Sequence, residues 1–362
     1  MDASQQKDFG LREVAAFFLR LGLTAFGGPA AHVALMEDEA VRRRGWLSRE
    51  AFLDRLGAIN LLPGPNSTQM AMALGFERAG WRGLLLGGLC FILPAALMAA
   101  GCAWAYLRWG ALPRAQGLLY GVRPVILAIL AQALVSLGRT AVKDRTLALL
   151  GLAAALAYAA GLHELAVLGG AGLVMLALRG RPRPMALVAA PVGLAPLFLA
   201  FLKLGAVVFG SGYVLIAFLR ADLVARWHWL TEAQLLDAVA VGQITPGPVF
   251  TTATFVGFLL RGPWGALLAT LGIFLPSFLL VAAVGPLVPK LRKSPSASAV
   301  LDGVNVAALA LMAVVGLQLA HAALVDRTTV ALALASAVLL LRFRVNPTWI
   351  VLGAGAIGLA LR

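Results

Sequence analysis

Residues 18–28 read Phe-Leu-Arg-Leu-Gly-Leu-Thr-Ala-Phe-Gly-Gly, and residues 201–211 read Phe-Leu-Lys-Leu-Gly-Ala-Val-Val-Phe-Gly-Ser. The second stretch repeats the first at an offset of 183 residues. Further matches follow in the same order: Trp-Leu-Ser at 46–48 with Trp-Leu-Thr at 229–231, and Pro-Gly-Pro at both 63–65 and 246–248. An ordered series of matches at one offset indicates an internal duplication.

The duplication predicts two homologous domains, residues 1–184 and residues 185–362, which meet at an Arg- and Pro-rich link. The chain has 362 residues, 61% hydrophobic and 13% charged, with a mean hydropathy of +0.89. Soluble domains are only about 45–50% apolar, and a membrane helix needs about 20 apolar residues. We therefore expect an all-α polytopic membrane protein of two homologous helical halves with about 10–12 membrane segments, and exclude a water-soluble enzyme.

The formal net charge is +14, from 30 Lys and Arg against 16 Asp and Glu. The basic residues lie in short loops beside apolar runs, as at 42–44 and 290–293. This placement favours a role in membrane orientation and in contacts with lipid phosphates. Membrane lipids are therefore expected partners, and nucleic acid is not.

The second of the six apolar runs in each half is interrupted by Pro-Gly-Pro, which forbids a continuous helix. If this run enters the membrane and returns, the basic residues flanking the first half divide twelve to four between the two sides; if it crosses, they divide ten to six. The more uneven split favours re-entry, although crossing stays open. Five crossings per half would insert the halves in opposite directions, which predicts the inverted repeats of many secondary transporters.

The Pro-Gly-Pro motifs stand among polar residues inside apolar runs, and matching breaks in two halves point to a transporter's binding site. A helix that restarts after the second proline presents unpaired N–H groups and its positive dipole end to an anion. The alternative is a kink that only packs against its neighbours. The candidate binding residues are Asn60, Pro63, Gly64, Pro65, Asn66, Ser67 and Thr68 in the first half, and Gln243, Pro246, Gly247, Pro248, Thr251 and Thr252 in the second.

Two cations, Arg20 and Lys203, occupy equivalent positions in the first apolar run of each half. Charged residues inside membrane segments indicate function, so the pair favours an anionic substrate. Gly27 and Gly28 follow Arg20 and permit a break or a close approach of the backbone. The alternative is that each cation reaches an interface or pairs with an acid.

For ion coupling the better candidates are Asp54 and Asp237, which recur just before the two broken runs, although an N-cap role suits them equally. Arg123 has Asn305 as its counterpart, so a symmetric role is not expected, and a membrane-end anchor is the alternative. The charged stretch 32–55 is interpreted as an interfacial helix with solvated charges.

Enzyme and cofactor motifs are missing from the sequence or lack their context. A Gly-x-Gly-x-x-Gly pattern at 353–358 lies too close to residue 362 for the acidic residue that a dinucleotide site needs, and no zinc-protease, nucleophile-elbow or Walker motif occurs. Cys90 and Cys102 have a spacing that fits neither a disulfide framework nor a metal site. We expect no enzyme activity, no metal and no cofactor.

The repeated motifs occur in the order Phe-Leu-Arg/Lys-Leu-Gly, Phe-Gly-Gly/Ser, Trp-Leu-Ser/Thr and Pro-Gly-Pro. This ordered set resembles the motifs of the chromate ion transporter family in its two-domain form. The resemblance also includes Leu-Pro at 93–94 and 275–276 and spans nearly the whole chain. The second half departs from the first at 211–212 and 249–250, so we expect the first half to contribute more to ligand contacts. The family positions that carry over are Arg20, Phe26, Gly27, Gly28, Asn60, Pro63, Gly64 and Pro65, with Lys203, Phe209, Gly210, Pro246, Gly247 and Pro248.

The resemblance implies a multi-pass protein of the bacterial inner membrane that exports chromate from the cytoplasm and confers chromate resistance. The implied driving force is the membrane potential or the proton gradient, and sulfate, a tetrahedral dianion of similar size, is the expected competitor. The residues alone indicate only an oxyanion. They leave open a carrier of sulfate or another oxyanion, a passive anion channel, a non-transporting membrane protein, and a homodimer.

Overall fold

The computed structural model describes residues 3–26, 28–60, 62–179, 194–208, 214–284, 295–343 and 345–361. In these ranges every regular element is helical. The first half contains α1 (Ala3–Thr24), α2 (Gly28–Glu37), the π-helix π1 (Asp38–Arg43), α3 (Arg49–Ile59), α4 (Asn66–Trp109), α5 (Pro113–Ala141), α6 (Arg145–Ala159) and α7 (Glu164–Arg179). The second contains α8 (Leu194–Val207), α9 (Val214–Leu219), π2 (Arg220–Arg226), α10 (Glu232–Ile244), a 3₁₀ turn (Val249–Thr251), α11 (Thr252–Val284), α12 (Pro295–Ala323), α13 (Arg327–Leu341) and α14 (Pro347–Leu361).

Some of the predicted features lie outside the described residues. The proposed boundary between residues 184 and 185 is one of them, and Gly27, Phe209 and Gly210 are the others. The elements on either side of these gaps follow the same order in both halves, as the duplication predicts.

Equivalent helices begin with the same local chemistry. Asp144 caps α6 by accepting a hydrogen bond from the Leu147 N–H at 2.8 Å, and Asp326 caps α13 by accepting one from the Thr329 N–H at 2.9 Å. Aspartate is favoured at this position because its carboxylate satisfies an N–H group that has no partner inside the helix.

The long helices α4 and α11 are each broken at an equivalent glycine. Gly80 and Gly262 both have φ of +61°, a conformation that glycine adopts without steric cost. We name the resulting arms α4a (residues 66–78), α4b (81–109), α11a (252–260) and α11b (263–284). Gly75 in α4a lies directly against the carbonyl of Gly83 in α4b, although eight residues of straight helix would span about 12 Å. The chain therefore reverses at this break.

By their internal contacts the residues form two compact units, each containing parts of both halves. The first unit comprises Met1–Ala105, Val192–Gly212 and Val241–Arg292, and the second comprises Tyr106–Pro191, Tyr213–Ala240 and Lys293–Arg362. In the first unit α1 packs closely on α4b at Gly22, and α8 packs on α11b at Gly205. In the second unit α12 packs against α5, α6 and α7, while α13 and α14 pack against α5.

Equivalent helices of the two halves meet in the first unit with opposite ends together. Trp81 and Leu85, near the start of α4b, line one apolar groove with Leu275 and Leu279, near the end of α11b. An inverted repeat is expected to bring opposite ends of equivalent helices together in this way.

Four helical segments are long and apolar enough to cross a membrane when α4 and α11 are each counted with both arms: Asn66–Trp109, Pro113–Arg139, Val249–Ala283 and Asp302–Ala323. Five shorter apolar helices, of 10–17 residues, accompany them in the described part of the chain. The expected all-α membrane architecture with two homologous halves is confirmed. The number of crossings stays a prediction.

Candidate anion-binding site

Both Pro-Gly-Pro motifs form turns between helices in the first unit. The first turn, residues 63–65, separates α3 from α4a, and the second turn, residues 246–248, separates α10 from the 3₁₀ turn that opens α11. Arg55 on α3 forms an ion pair with Glu77 on α4a. Since these residues are 22 positions apart, the chain folds back at the first turn.

The two turns are held by reciprocal hydrogen bonds between the halves. The Gly64 N–H donates to the Val208 carbonyl at 2.7 Å, and the Gly247 N–H donates to the Ala25 carbonyl at 3.0 Å. The two glycines are equivalent in the repeat, and so are the two carbonyl residues, each of which follows the first helix of its half. Each half therefore binds the turn of the other.

Glycine is required at the centre of both turns. Gly64 has φ of +115° and Gly247 has φ of +91°, values that residues with a Cβ rarely adopt. A Cβ on Gly64 would collide with the Ser277 hydroxyl, and a Cβ on Gly247 would lie 2.7 Å from the Cβ of Ala95. Ala95 and Ser277 are themselves equivalent positions, so the two turns pack on α4b and α11b in the same way.

The first turn leads into a helix start with unpaired N–H groups. The Gln69 N–H donates to the Pro65 carbonyl at 2.9 Å, so the N–H groups of residues 66–68 have no acceptor within the helix. The Gln69 Nε2 donates to the Pro63 carbonyl at 2.6 Å and to the Ser277 Oγ at 3.3 Å, and thereby fixes the turn. The Asn66 Nδ2 donates to the Asn60 Oδ1 at 2.8 Å across the turn.

Buried polar atoms without a hydrogen-bond partner concentrate near the turns. In the described residues they are the Asn66 Oδ1, Thr68 Oγ1, Gln69 Oε1, Gln243 Nε2 and His32 Nδ1, with the Trp46 and Trp229 Nε1 and the Thr348 Oγ1 elsewhere. A buried polar atom without a partner costs about 1–3 kcal/mol, so native proteins keep few of them. Their concentration here indicates a site that a polar ligand or water completes.

The second turn uses its hydroxyls differently. Thr251 donates to the Pro248 carbonyl and Thr252 donates to the Val249 carbonyl, both at 2.8 Å. Their protons are therefore occupied by the turn's own backbone, whereas the fully buried Thr68 hydroxyl has no partner among the described residues.

The structure places Arg20 in an ion pair, which is the alternative that the sequence left open. Its side chain is 60% exposed and donates to the Glu39 Oε2 at 3.0 Å, while Arg44 donates to the Glu39 Oε1 at 2.7 Å. Burial alone would raise the pKa of the Glu39 carboxyl, but Arg44 and Arg20 outweigh burial and lower it. In the described residues, the side-chain contact of Arg20 joins it to Glu39 and not to either turn. Lys203 is partly buried on α8.

The two repeated aspartates lie in different surroundings. Asp54 is exposed on α3, in the first unit, whereas Asp237 is fully buried on α10, in the second. The Arg123 guanidinium donates to the two Asp237 oxygens at 2.8 and 2.9 Å, and the Tyr106 hydroxyl donates at 2.9 Å. Arg123 is thus an internal ion-pair partner, a role that the sequence did not identify because neither Arg123 nor Tyr106 has a matching residue in the other half.

His32 is a second residue that sequence reasoning missed as a candidate. Its side chain is 1% exposed, its Nε2 lies 3.1 Å from the Ala25 carbonyl, and its ring meets the Phe91 ring edge-on at 5.4 Å. The repeat gave no signal because its counterpart is Leu215. The stretch 32–55 around it also differs from expectation, because its charges form ion pairs such as Glu37–Arg49 at 3.1 Å rather than being fully solvated.

Comparison with known proteins assigns the repeats. The family described as "Chromate transporter" matches residues 12–176 and again residues 195–359. Similar proteins include the "Chromate transport protein" of Cupriavidus metallidurans, 35% identical over 97% of this chain and 93% of that protein. The "Probable chromate transport protein" of Synechococcus elongatus is 34% identical over 83% and 82%, and the "Chromate transport protein" of Pseudomonas aeruginosa is 32% identical over 96% and 91%. No solved structure matches the chain.

Proposed function

Because the chain belongs to the chromate transporter family, we propose that it is a secondary active transporter that exports chromate from the cytoplasm. The proposed location is the bacterial inner membrane, the proposed driving force is the membrane potential or the proton gradient, and the proposed consequence is chromate resistance. Sulfate is the proposed competitor. The family consists of transporters, which agrees with a role in transport rather than catalysis.

The observation that carries this proposal is the pair of reciprocally bound turns with unpaired polar groups around them. The N–H groups of residues 66–68, at the start of α4a, are donors at the positive end of a helix dipole. The Thr68 hydroxyl and the Gln243 amide nitrogen are further donors without partners. Oxygen atoms of a tetrahedral dianion accept hydrogen bonds from such groups, and charge makes these bonds stronger than neutral ones.

The proposed site follows the two breaks. It comprises Asn60, Pro63, Gly64, Pro65, Asn66, Ser67 and Thr68 with Gln243, Pro246, Gly247, Pro248, Thr251 and Thr252, together with Gly27 and Gly28. Arg20 and Lys203 are proposed to attract the anion, with Arg20 exchanging Glu39 for substrate. We propose alternating access by relative movement of the two halves, as in other inverted-repeat transporters.

Asp54 and Asp237 are the proposed coupling acids. The Asp237 carboxylate is buried and accepts hydrogen bonds from both Arg123 and Tyr106. Its protonation would remove the negative charge that binds Arg123. Asp54 is an exposed residue of α3 and is open to water.

Everted membrane vesicles test the function. Labelled chromate should accumulate in energised vesicles that contain the protein, and an uncoupler and excess sulfate should each reduce the accumulation. Sulfate accumulation without chromate accumulation would identify a sulfate carrier. Flux that follows the membrane potential alone would identify a channel, and the absence of flux for either anion would refute transport of these oxyanions.

A matched pair of variants tests the site. Thr68→Val keeps the shape of the side chain and removes an unpartnered donor, so we expect the chromate concentration for half-maximal transport to rise about tenfold, as the loss of one hydrogen bond of about 1.4 kcal/mol predicts. Thr245→Val is the control, because Thr245 is not among the proposed site residues and its hydroxyl donates to the Val241 carbonyl at 2.9 Å within the protein. Equal effects of the two variants on this concentration would place Thr68 outside the site.

A further inference from the structure

A buried histidine lies next to the second turn. The Ala25 carbonyl accepts the hydrogen bond of Gly247 at 3.0 Å and is also 3.1 Å from the His32 Nε2. A carbonyl oxygen has two lone pairs and can accept both bonds. The imidazole ring is therefore connected to the second turn through one shared oxygen atom.

This contact fixes the tautomer of the ring. Because a carbonyl only accepts, the His32 Nε2 must carry the hydrogen. The Nδ1 of the neutral ring is then a bare acceptor, and it is buried without a partner among the described residues. Protonation at Nδ1 would convert this atom into a donor and place a positive charge beside the turn.

Among the described residues, no hydrogen bond or ion pair joins a carboxylate to the His32 ring. On α4b it faces the aromatic ring of Phe91. The carboxylates of the described side chains on α1, α2 and π1 pair with arginines: Glu13 with Arg78, Glu37 with Arg49, Asp38 with Arg43, and Glu39 with Arg44 and Arg20. The neighbouring titratable group on α4b is the Cys90 thiol, and residues 241–252 around the second turn contain none.

A buried imidazolium without a counter-charge is costly, whereas one beside a bound dianion is stabilised. We propose that His32 is the proton-binding residue of the anion site: the ring is neutral when the site is empty and takes a proton on Nδ1 when an oxyanion dianion binds. Anion and proton then bind together, and each increases the affinity for the other by the same factor. This inference rests on the proposed function.

The repeat makes this coupling asymmetric. The equivalent carbonyl, that of Val208, accepts the Gly64 N–H at 2.7 Å. The residue that corresponds to His32 in that half is Leu215, which cannot bind a proton. One turn is therefore linked to proton binding, and the other binds the anion through uncharged donors.

Proton uptake by the purified full-length protein in detergent, in weak buffer with a pH indicator, tests the proposal directly. Sulfate is the probe because it stays a dianion across the range from about pH 6 to about pH 8, where histidine commonly titrates, while chromate is compared in parallel. We expect up to one proton taken up per sulfate bound. We also expect the apparent affinity for sulfate to fall with rising pH, by at most about tenfold per pH unit.

His32→Gln keeps an N–H donor for the Ala25 carbonyl but cannot be protonated. We expect this variant to bind sulfate without proton uptake and with an affinity that does not change with pH. His321→Gln, an exposed position on α12, is the control and should keep both wild-type behaviours.

The outcomes separate the two proposals. If the wild-type protein binds neither sulfate nor chromate, the proposed function fails. If it binds sulfate without proton uptake, or if His32→Gln takes up protons like the wild type, the anion site stands and the role of His32 is wrong. The wild-type measurement decides even if the variant does not fold.

Discussion

Around the first turn, Thr68 has a hydroxyl with no partner among the described residues, whereas around the second turn the equivalent Thr251 donates to the Pro248 carbonyl at 2.8 Å. The backbone of the two turns nevertheless matches, with positive φ at both central glycines and the same hydrogen bond to the other half. Duplication has thus preserved the backbone of the two turns, while the side chains have diverged. Residues that differ between the two halves are therefore the ones to examine for function.

The largest expected contrast between the halves concerns their repeated aspartates. Asp237→Asn would leave the partly buried Arg123 without its counter-charge, and removing one member of a buried ion pair costs about 3–5 kcal/mol. Asp54→Asn changes an exposed side chain, for which we expect less than about 0.5 kcal/mol. Thermal unfolding of the two variants in detergent measures both effects.

A double variant separates stability from coupling. Replacing both Arg123 and Asp237 with leucine removes the charges together, so stability should largely return. If transport returns as well, Asp237 is a structural residue; if stability returns without energy-dependent transport, its proposed coupling role is supported. Equal destabilisation by Asp54→Asn and Asp237→Asn would contradict the structure.

The second contrast concerns glycine. Gly64→Ala and Gly247→Ala introduce a Cβ where φ is strongly positive and space is filled, so we expect a loss of about 2–3 kcal/mol and of transport in each. Gly80→Ala is the control, because φ is also positive there but no atom lies within 4 Å of the added Cβ, so it should cost only the backbone strain, about 1–2 kcal/mol.

Paired substitutions test which neighbour causes the loss. Ser277→Ala removes the hydroxyl that a Cβ on Gly64 would meet, and Ala95→Gly removes the methyl that a Cβ on Gly247 would meet. Ser277→Ala should recover part of the stability that Gly64→Ala loses, and Ala95→Gly should recover part of the stability that Gly247→Ala loses. Neither should restore stability to the other glycine variant. Melting temperatures of the four double variants, each glycine variant combined with each compensating variant, decide this. Recovery of Gly64→Ala by Ala95→Gly, or of Gly247→Ala by Ser277→Ala, would show that the turns do not pack as described.

The local breaks of this fold could be predicted from sequence because their causes are local. Two prolines separated by glycine remove backbone donors, and the helices indeed end at Ile59 and restart at Asn66. The charge count favours halves inserted in opposite directions, and this stays a prediction, with which the groove between the start of α4b and the end of α11b agrees. Both inferences use only short sequence motifs, the distribution of basic residues and the internal repeat.

The partners of these elements could not be predicted, because they depend on contacts between distant segments. The hydrogen bond from Gly64 to Val208 and the ion pair of Arg123 with Asp237 each join residues more than 100 positions apart. His32 was missed for a different reason: one histidine without a repeated counterpart does not stand out from a polar stretch. Candidate residues chosen by symmetry therefore omit those that make the site asymmetric.

A third prediction uses pH to test the role of Glu39 in π1, which corresponds to Asp222 in π2. The pKa of Glu39 is lowered from its ordinary 4.5 by Arg44 and Arg20, although burial opposes this. Its ion pairs therefore stabilise the protein above that ordinary value, and this stability is lost as pH falls through the lower pKa of the folded state. We expect Glu39→Gln to cost about 1–2 kcal/mol at neutral pH and to flatten this acid loss.

Unfolding midpoints between neutral pH and about pH 3 measure the effect of Glu39→Gln, in the window where a carboxyl titrates. Asp38→Asn is the control, since that carboxylate is 38% exposed and should change the curve little. If the unfolding midpoint of Glu39→Gln falls as steeply with decreasing pH as that of the wild type, the loss of stability in acid belongs to other carboxylates.

The smallest expected effect concerns an ion pair that occurs in both halves with the acidic and the basic residue at opposite positions. Glu37 pairs with Arg49 at 3.1 Å in the first half, and at the equivalent positions Arg220 pairs with Glu232 at 2.6 Å in the second. The same backbone thus accommodates both orientations. Exchanging the first pair by Glu37→Arg with Arg49→Glu should therefore change stability by less than about 0.5 kcal/mol, while Glu37→Arg alone should cost up to about 1 kcal/mol through repulsion from Arg49.

Exchanging the second pair should cost more, because Arg220 also donates to the Gln318 Oε1 at 2.5 Å and its side chain is only 16% exposed, against 71% for Arg49. The Arg220→Glu and Glu232→Arg double variant loses that third partner. A double-mutant cycle on each pair, measured as unfolding free energies in detergent, isolates the pairwise part from the rest. Equal costs in the two halves would mean that Gln318 contributes nothing and that the pairs differ only in sign. A larger cost in the second half would show that a duplicated backbone can keep one ion pair replaceable and make its counterpart specific by adding a single neighbour.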